Sequence, residues 1–233
     1  MRRALRVRVG LCAMFAMVVG VGIPTATAGG GGGARCTIVG TSGRDVLNGT
    51  AGRDVICGRG GNDVIRGLDG NDTLKGGVGD DRLEGGNGED LVKGGGGRDV
   101  MLAGDGNDRL KGGARRDAIQ GNHGDDVLRG GGGRDTLAGG LDNDVVRGGP
   151  QGDMMRGSRG DDTLFGEAGK DRISAGQGND SAVGGKDADQ LRGRLGNDTL
   201  NSVDGLGNDL VRGQGGNDTC NTDPGDTVDG CEA

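Results

Sequence analysis

The chain has very few of the side chains that normally fill a protein interior. Its 233 residues include no Trp, no Tyr and only two Phe, at positions 15 and 165. Because aromatic side chains supply much of the volume of a packed core, this composition argues against a conventional globular interior. There is also a single histidine, His123, and no Cys-x-x-Cys pair. Zinc sites and histidine-based catalysis are therefore not expected.

Glycine and acidic residues are abundant instead. The chain contains 59 Gly, and its 35 acidic residues exceed its 28 basic ones, which gives a formal charge of -7. A glycine-rich, acidic chain with few aromatics is typical of disordered segments, unless a further pattern is present. The acidic balance makes nucleic acid an unlikely class of partner.

The first 28 residues have the features of a secretory signal peptide. Four arginines within the first eight residues precede an apolar stretch from 9 to 23, and Ala26-Thr27-Ala28 provides small residues for cleavage before Gly29. Removal of residues 1–28 would take away four arginines and no acid, and would change the charge from -7 to -11. No later segment approaches a membrane span. We therefore expect a secreted, extracellular protein with no membrane span in the mature chain.

Four cysteines remain after residue 28: Cys36, Cys57, Cys220 and Cys231. An even number of cysteines in an exported chain predicts disulfides, and three pairings are possible. We favour the local pairing, Cys36 with Cys57 and Cys220 with Cys231, because it would tie down the two ends of an elongated body.

Aspartate recurs every nine residues from Asp45 to Asp198, in 18 consecutive repeats. An insertion of two residues near Ser202 then shifts the series to Asp209 and Asp218, and Asp226 ends it one residue early. Glycine stands two residues before the Asp in all but four of the first twenty repeats, and an apolar residue usually stands two residues after it. Glycine at that point indicates a tight turn. The repeat predicts six turn residues and three strand residues, the middle one inward, in a parallel β-solenoid.

The segments "GGVGDDRLE" (76–84), "GGNGEDLVK" (85–93) and "GGGGRDVML" (94–102) match the pattern G-G-x-G-x-D-x-U-x at each defined position. In this the chain resembles the hemolysin-type calcium-binding repeat family, the RTX nonapeptides. The resemblance implies an all-β, right-handed parallel β-roll with two nonapeptides per coil. It also implies calcium ions between stacked turns, held by Asp carboxylates and by turn carbonyls. The likeness is to small exported members made only of repeats, so toxin and protease activities are not expected.

The electrostatics of stacking indicate a metal without reference to the family. Asp side chains in successive coils would lie about 5 Å apart, and like charges at that distance repel by about 3 kcal/mol in a medium of intermediate dielectric. Calcium suits such a site because it accepts six or more oxygen ligands in a flexible geometry. We expect several calcium ions, and folding coupled to their binding. The candidate ligands are Asp45, Asp54, Asp63, Asp72, Asp81, Asp90, Asp99, Asp108, Asp126, Asp135, Asp162, Asp171, Asp180, Asp198, Asp209 and Asp218.

Four turns depart from the pattern, and we expect them to bind calcium weakly. Arg115, Asp142, Gln151 and Asp187 replace the turn glycine there. The departures place a second arginine, a shifted glycine or an extra carboxylate beside the repeat Asp. The aspartates of these turns are Asp117, Asp144, Asp153 and Asp189.

The ends of the repeat array predict caps. Residues 29–39 form an N-terminal cap with a degenerate repeat that has Cys36 in place of the Asp, 40–221 form the β-roll, and 222–233 form a C-terminal cap.

The expected function is that of a calcium-binding protein that folds on binding calcium and acts as a structural or adhesive extracellular module. Its partner would be a cell-surface or extracellular polymer. We do not expect an enzyme, since His123 lies at a variable turn position. The alternative is a metal-independent β-solenoid that binds a ligand, a polymer or an ice surface.

Overall fold

The computed structural model of the chain describes residues 35–231. The predicted signal peptide and most of the predicted N-terminal cap lie outside this range. Within it the protein is an all-β parallel solenoid without helices. Accordingly, residues 35–231 contain no helix that is long and apolar enough to cross a membrane.

The strands alternate between two parallel sheets of 11 strands each. We call them the odd sheet and the even sheet, after the chain order of their strands. The odd sheet consists of β1 (Ile38–Val39), β3 (Val55–Gly60), β5 (Thr73–Val78), β7 (Leu91–Gly96), β9 (Arg109–Ala114), β11 (Val127–Gly132), β13 (Val145–Pro150), β15 (Thr163–Ala168), β17 (Ser181–Lys186), β19 (Thr199–Asn201) and β21 (Thr219–Asn221). The even sheet consists of β2 (Val46–Asn48), β4 (Val64–Asp69), β6 (Arg82–Asn87), β8 (Val100–Asp105), β10 (Ala118–His123), β12 (Thr136–Leu141), β14 (Met154–Arg159), β16 (Arg172–Gln177), β18 (Gln190–Leu195), β20 (Leu210–Gly215) and β22 (Thr227–Asp229).

Each strand pairs with the strand two repeats away, so one coil contains two nonapeptides. Leu74 of β5, for example, is in register with Ile56 of β3 and with Val92 of β7. The prediction that the structural period is twice the sequence period is confirmed. The insertion near Ser202 is absorbed in the segment between β19 and β20, where the step from Asp189 to its stacked partner Asp209 widens to 20 residues.

Most strands are six residues long, and the prediction of three strand residues per repeat was wrong. The ladder continues into the two positions that follow the outward residue, which are both glycine in strands such as β5 and β7, as where Gly77 pairs with Gly95. Gly77 has a φ of 117°, a conformation that glycine adopts without strain. The sequence predicted that the strand ends in a turn at these glycines. In the structure the backbone bends there, but it remains part of the strand and keeps its register with the neighbouring coils.

The core is a thin layer between the two sheets. The residue two positions after the repeat Asp points inward, as predicted, except at the last repeat, where Val228 is exposed; from Ile56 to Val211 all of these side chains are at most 3% exposed. Ile65 of the even sheet and Leu74 of the odd sheet belong to the same buried cluster. At the ends Ile38, Leu47 and Cys220 are only partly buried against it. In the repeats from Asp45 to Asp198 the first position also points inward and is a glycine, or an alanine at Ala103 and Ala175.

Two disulfides tie the ends. Cys36 is bonded to Cys57, and Cys220 is bonded to Cys231, which confirms the local pairing. Cys57 lies on β3, so the first bond joins the outermost strand segment to the coil beneath it. Each predicted cap also contributes a strand, because β1 pairs with β3 and β22 pairs with β20.

Candidate metal centre

The repeat aspartates form two buried columns, one along each edge where the chain passes between the sheets. The side chains from Asp63 to Asp218 are at most 3% exposed. Carboxylates are rarely buried this completely without a partner, since removal of a charge from water is unfavourable. The columns are therefore where the solenoid requires compensating interactions.

One carboxylate oxygen of each stacked aspartate is satisfied by the coil before it. The backbone N–H of Asp63 donates to Oδ1 of Asp81, 18 residues further along, at 2.8 Å. The same bond, between 2.7 and 3.0 Å, recurs from Asp45 to Asp226 in both columns. Asp63 is therefore stacked with Asp45 and Asp81 rather than with Asp72, as two nonapeptides per coil imply.

The other oxygen, Oδ2, is buried and has no hydrogen-bond partner in the interior of the array. A buried acceptor without a partner is unfavourable, and a charged one more so. The aspartates with this orphaned oxygen are Asp63, Asp72, Asp81, Asp90, Asp99, Asp108, Asp117, Asp126, Asp135, Asp144, Asp153, Asp162, Asp171, Asp180, Asp189, Asp198, Asp209 and Asp218.

The first two aspartates and the last one differ from this pattern. Oδ2 of Asp45 accepts from the backbone N–H of Thr41 at 2.6 Å and from its hydroxyl at 2.9 Å. Thr50 makes the same two bonds to Asp54. At the other end, Oδ2 of Asp226 accepts from the hydroxyl of Ser202 at 2.9 Å. Asp45 and Asp54 are among the predicted calcium ligands, and their carboxylates have less need of a cation than those of the interior.

Burial raises the pKa of the interior aspartates. It raises the pKa of Asp126 to about 7 and that of Asp144 to about 8, although the backbone N–H bond to each carboxylate opposes the rise. Neighbouring carboxylates raise these pKa values further. Asp171 likewise has a pKa of about 8. Near neutral pH, then, the metal-free columns have a marked tendency to hold protons where a cation would otherwise be.

These pKa values predict how the metal-free solenoid responds to acid. Each carboxyl from Asp63 to Asp209 in the two columns binds its proton more tightly in the folded chain than in the unfolded chain, where the pKa is about 3.9. Stability therefore falls as pH rises from about 4 to about 8, in the range between the unfolded and folded pKa values. After dialysis against a chelator, circular dichroism should show more folded protein at pH 5 than at pH 8. Equal or greater folding at pH 8 would contradict this.

The surroundings of the orphaned oxygens suit a cation with hard oxygen ligands. A Cβ built on Gly94 would lie 2.2 Å from Oδ2 of Asp99 and 2.7 Å from the carbonyl oxygen of Gly112. A carboxylate oxygen and a main-chain carbonyl oxygen thus approach the same place, which is free of a side chain in the repeats with glycine at this position and not in those with Ala103 and Ala175. Within residues 35–231 no group of three acidic, cysteine or histidine side chains is placed so that it could hold a metal ion. A metal here would consequently take many of its ligands from the backbone, as calcium does in glycine-rich turns.

The four departing turns keep the same carboxylate arrangement as the others. Asp117, Asp144, Asp153 and Asp189 all have an orphaned Oδ2 and a pKa raised by burial to between about 7 and about 8. These four turns differ from the others in their backbone, since the residues that replace glycine adopt φ values of 71° to 78°. The expectation of weak binding at these turns stays a prediction.

A second side-chain ladder, which was not predicted from the sequence, connects many of the turns. It is formed by the residue just before the repeat Asp where that residue is Asn or Asp. Oδ1 of Asn143 accepts from the backbone N–H of Asp161 at 2.7 Å, and Oδ1 of Asp161 accepts from that of Asn179 at 2.7 Å. Because this ladder runs one coil forward while the buried ladder runs one coil back, the turns that belong to both ladders are bonded in both directions. The frequent occurrence of Asn and Asp just before the repeat Asp is the sequence signal from which this ladder could have been predicted.

A family model described as the RTX calcium-binding nonapeptide repeat, in four copies, matches nearly all of the described chain. No curated protein matches the chain. The matched segments are residues 37–65, 66–101, 76–110, 102–137, 111–146, 124–155, 147–182, 174–205 and 202–228.

Proposed function

The chain belongs to the RTX calcium-binding nonapeptide repeat family, and we propose on this basis that it is a secreted protein that folds when it binds several calcium ions outside the cell. The folded form is a rod of about 11 coils that serves as a structural or adhesive extracellular module. The observation that carries the proposal is the repeated orphaned carboxylate oxygen, because a column of buried, unpartnered acids requires positive charge.

The ions would be held between stacked turns by the interior aspartates and by glycine-turn carbonyls. Calcium neutralises the carboxylates when bound and so removes the repulsion between coils. Extracellular calcium modules bind at about 0.1 to 1 mM, which is close to the calcium level outside cells. Before export the chain would meet much less calcium and would stay unfolded. The two disulfides agree with an oxidising destination.

Catalysis has little support in the described part of the chain. His123 is exposed, and its Nδ1 lies 2.5 Å from Oδ1 of Asp105 on the neighbouring strand. The shallow depression beside this pair is lined by Gly, Asn, Gln and Leu, and it contains no Ser, Thr or Cys side chain. The pair therefore lacks a nucleophile to activate, and we propose a non-enzymatic role.

The metal-independent solenoid is the competing proposal, and the hydrogen-bonded ladders of both turn columns favour it in part. They satisfy one oxygen of each carboxylate without a metal. They leave Oδ2 of the interior aspartates without a partner, which is the reason that we favour calcium.

Calorimetric titration of the chain with calcium distinguishes the two proposals. We expect a stoichiometry close to one ion per stacked pair of interior turns. Asp126→Asn should reduce the number of bound ions, because it removes a charge while its Oδ1 can still accept from Asp108. Asp125→Asn is the matched control, since Asp125 is exposed and its Oδ1 can likewise still accept from Asn143. One or two ions in all, or equal effects of both substitutions, would contradict an array of sites.

A further inference from the structure

The odd sheet is basic along half of its length, although the chain as a whole is acidic. Its six strands from β3 to β13 contain seven Arg and Lys residues and no Asp or Glu. The even strands over the same stretch, β4 to β14, include Asp69, Glu84 and Asp105. The charge separation between the two faces thus does not follow from composition. The basic residues of the odd sheet are Arg59, Lys75, Lys93, Arg109, Lys111, Arg129 and Arg147.

Five of these residues form a single row, which we call the basic ladder: Lys75, Lys93, Lys111, Arg129 and Arg147. Each is in register with the next on the adjacent strand. Neighbouring strands lie about 4.8 Å apart, so the row presents one cation per coil at that interval along the rod. Lys93, Lys111 and Arg129 are exposed, and the two end members are half-buried.

The basic ladder has little compensation from the rest of the described chain. Among residues 35–231, only Arg147 of the five has an acidic partner, Glu167, at 3.7 Å. Arg147 also lies over the ring of Phe165, with its guanidinium carbon 4.2 Å from the ring centre. Like charges directly opposite each other on neighbouring strands repel and destabilise a sheet. Five cations in register are therefore difficult to explain as a feature that stabilises the fold.

The surface beside the basic ladder is open and flat. The second position of these repeats, on the same strands, is glycine in each case from Gly77 to Gly149. A shallow groove of about 370 Å³ lies there, lined by Lys111, Arg129, Arg147, Pro150, Glu167 and the glycine backbone around Gly149. Glu167 is the one acidic side chain in this lining and pairs with Arg147, which leaves Lys111 and Arg129 without an acidic partner in the groove.

We propose that the basic ladder binds a linear anionic polysaccharide that lies along the rod, across the strands. A straight row one side chain wide matches an extended chain with one carboxylate or sulfate on each sugar, because a sugar unit is about as long as the strand spacing. Duplex nucleic acid has phosphates that wind away from a straight row. This inference names the partner of the proposed extracellular module, and it rests on that function for its setting.

The test compares two triple substitutions of equal charge. Lys93→Gln, Lys111→Gln and Arg129→Gln remove the centre of the basic ladder, whereas Arg156→Gln, Arg172→Gln and Arg192→Gln remove three cations from the even sheet. The probes are an oligogalacturonate too short to gel with calcium, a sulfated dextran of similar size, neutral dextran and a single-stranded oligonucleotide. We expect the ladder triple to weaken binding of one of the two anionic glycans about tenfold or more, and the even-sheet triple to have little effect. The two anionic glycans distinguish carboxylate from sulfate recognition.

Equal loss in both triples, no loss in either, or binding of the oligonucleotide alone would overturn the proposal. Circular dichroism and calcium stoichiometry are recorded on the same samples, which separates this inference from the proposed function. A calcium-loaded rod that does not bind either anionic glycan removes the ladder proposal only. If the rod folds without calcium, the proposed function is wrong, and the same comparison on the metal-free rod still decides the ladder.

Discussion

Removal of calcium is expected to unfold most of the solenoid at neutral pH. The mature chain titrated with a chelator at pH 7.5 should lose its β-sheet circular dichroism signal, and excess calcium should restore it. The physical reason is the interior of the two columns, where burial raises the pKa of Asp108, Asp126 and Asp162 to about 7 and Oδ2 has no partner. Folding without a cation would require these acids either to bind protons or to remain charged and buried.

The response should not be uniform along the rod. Asp45 and Asp54 have threonine donors for Oδ2, Asp226 has Ser202, and a disulfide ties each end. In a solenoid each coil contacts only its neighbours, so the ends can keep structure that the middle loses. Hydrogen exchange at limiting calcium should show the earliest loss of protection in the central coils. A spectrum that is the same in chelator and in excess calcium would rule out calcium-dependent folding.

A valine at Gly95 is expected to destabilise the calcium-loaded rod by about 2 to 6 kcal/mol, since strain at an unusual φ and overpacking each contribute about 1 to 3 kcal/mol. Gly95 has a φ of 119°, and a Cβ there would lie 2.2 Å from the carbonyl oxygen of Gly77 on the neighbouring coil. The backbone of both coils would have to move. Urea unfolding followed by circular dichroism measures the change.

The adjacent glycine supplies a matched control. A Cβ at Gly96 would meet no atom closer than 4.0 Å, and Val78 already occupies the equivalent position of β5. Gly96→Val should therefore change the free energy of unfolding by less than about 0.5 kcal/mol. If the two variants unfold at the same urea concentration, close contact between stacked glycine turns does not limit stability.

Much of the fold could be predicted from the sequence because one short pattern recurs so often. The interval of nine indicates the turn before each Asp and the inward residue, the family resemblance implies the stacking of alternate repeats, and all three agree with the structure. Strand length could not be read in this way. A glycine pair such as Gly76 and Gly77 is typical of a turn, but its backbone remains in the ladder because the neighbouring coil carries an identical pair in register.

The candidate site was predicted in part. The repeat itself identified the buried aspartates. Whether each of their carboxylate oxygens is hydrogen-bonded depends on contacts one coil away or across a turn. Thr41 and Thr50 appear in the sequence only as departures from glycine, and the structure shows them donating to Asp45 and Asp54. The basic ladder was likewise hidden, because its members are 18 residues apart and become neighbours only when two repeats form one coil.

By itself the sequence determined the period, the residue at each position of the turn and the inward hydrophobic layer, since these depend on local backbone preferences and on alternation along a strand. Only the tertiary structure decided which carboxylate oxygen is bonded, which is orphaned and which cations share a face. These properties depend on atoms from residues 18 positions apart, which stacking brings within hydrogen-bond distance. The requirement for compensating charge in the columns is therefore a property of the stacked coils, and no single repeat contains it.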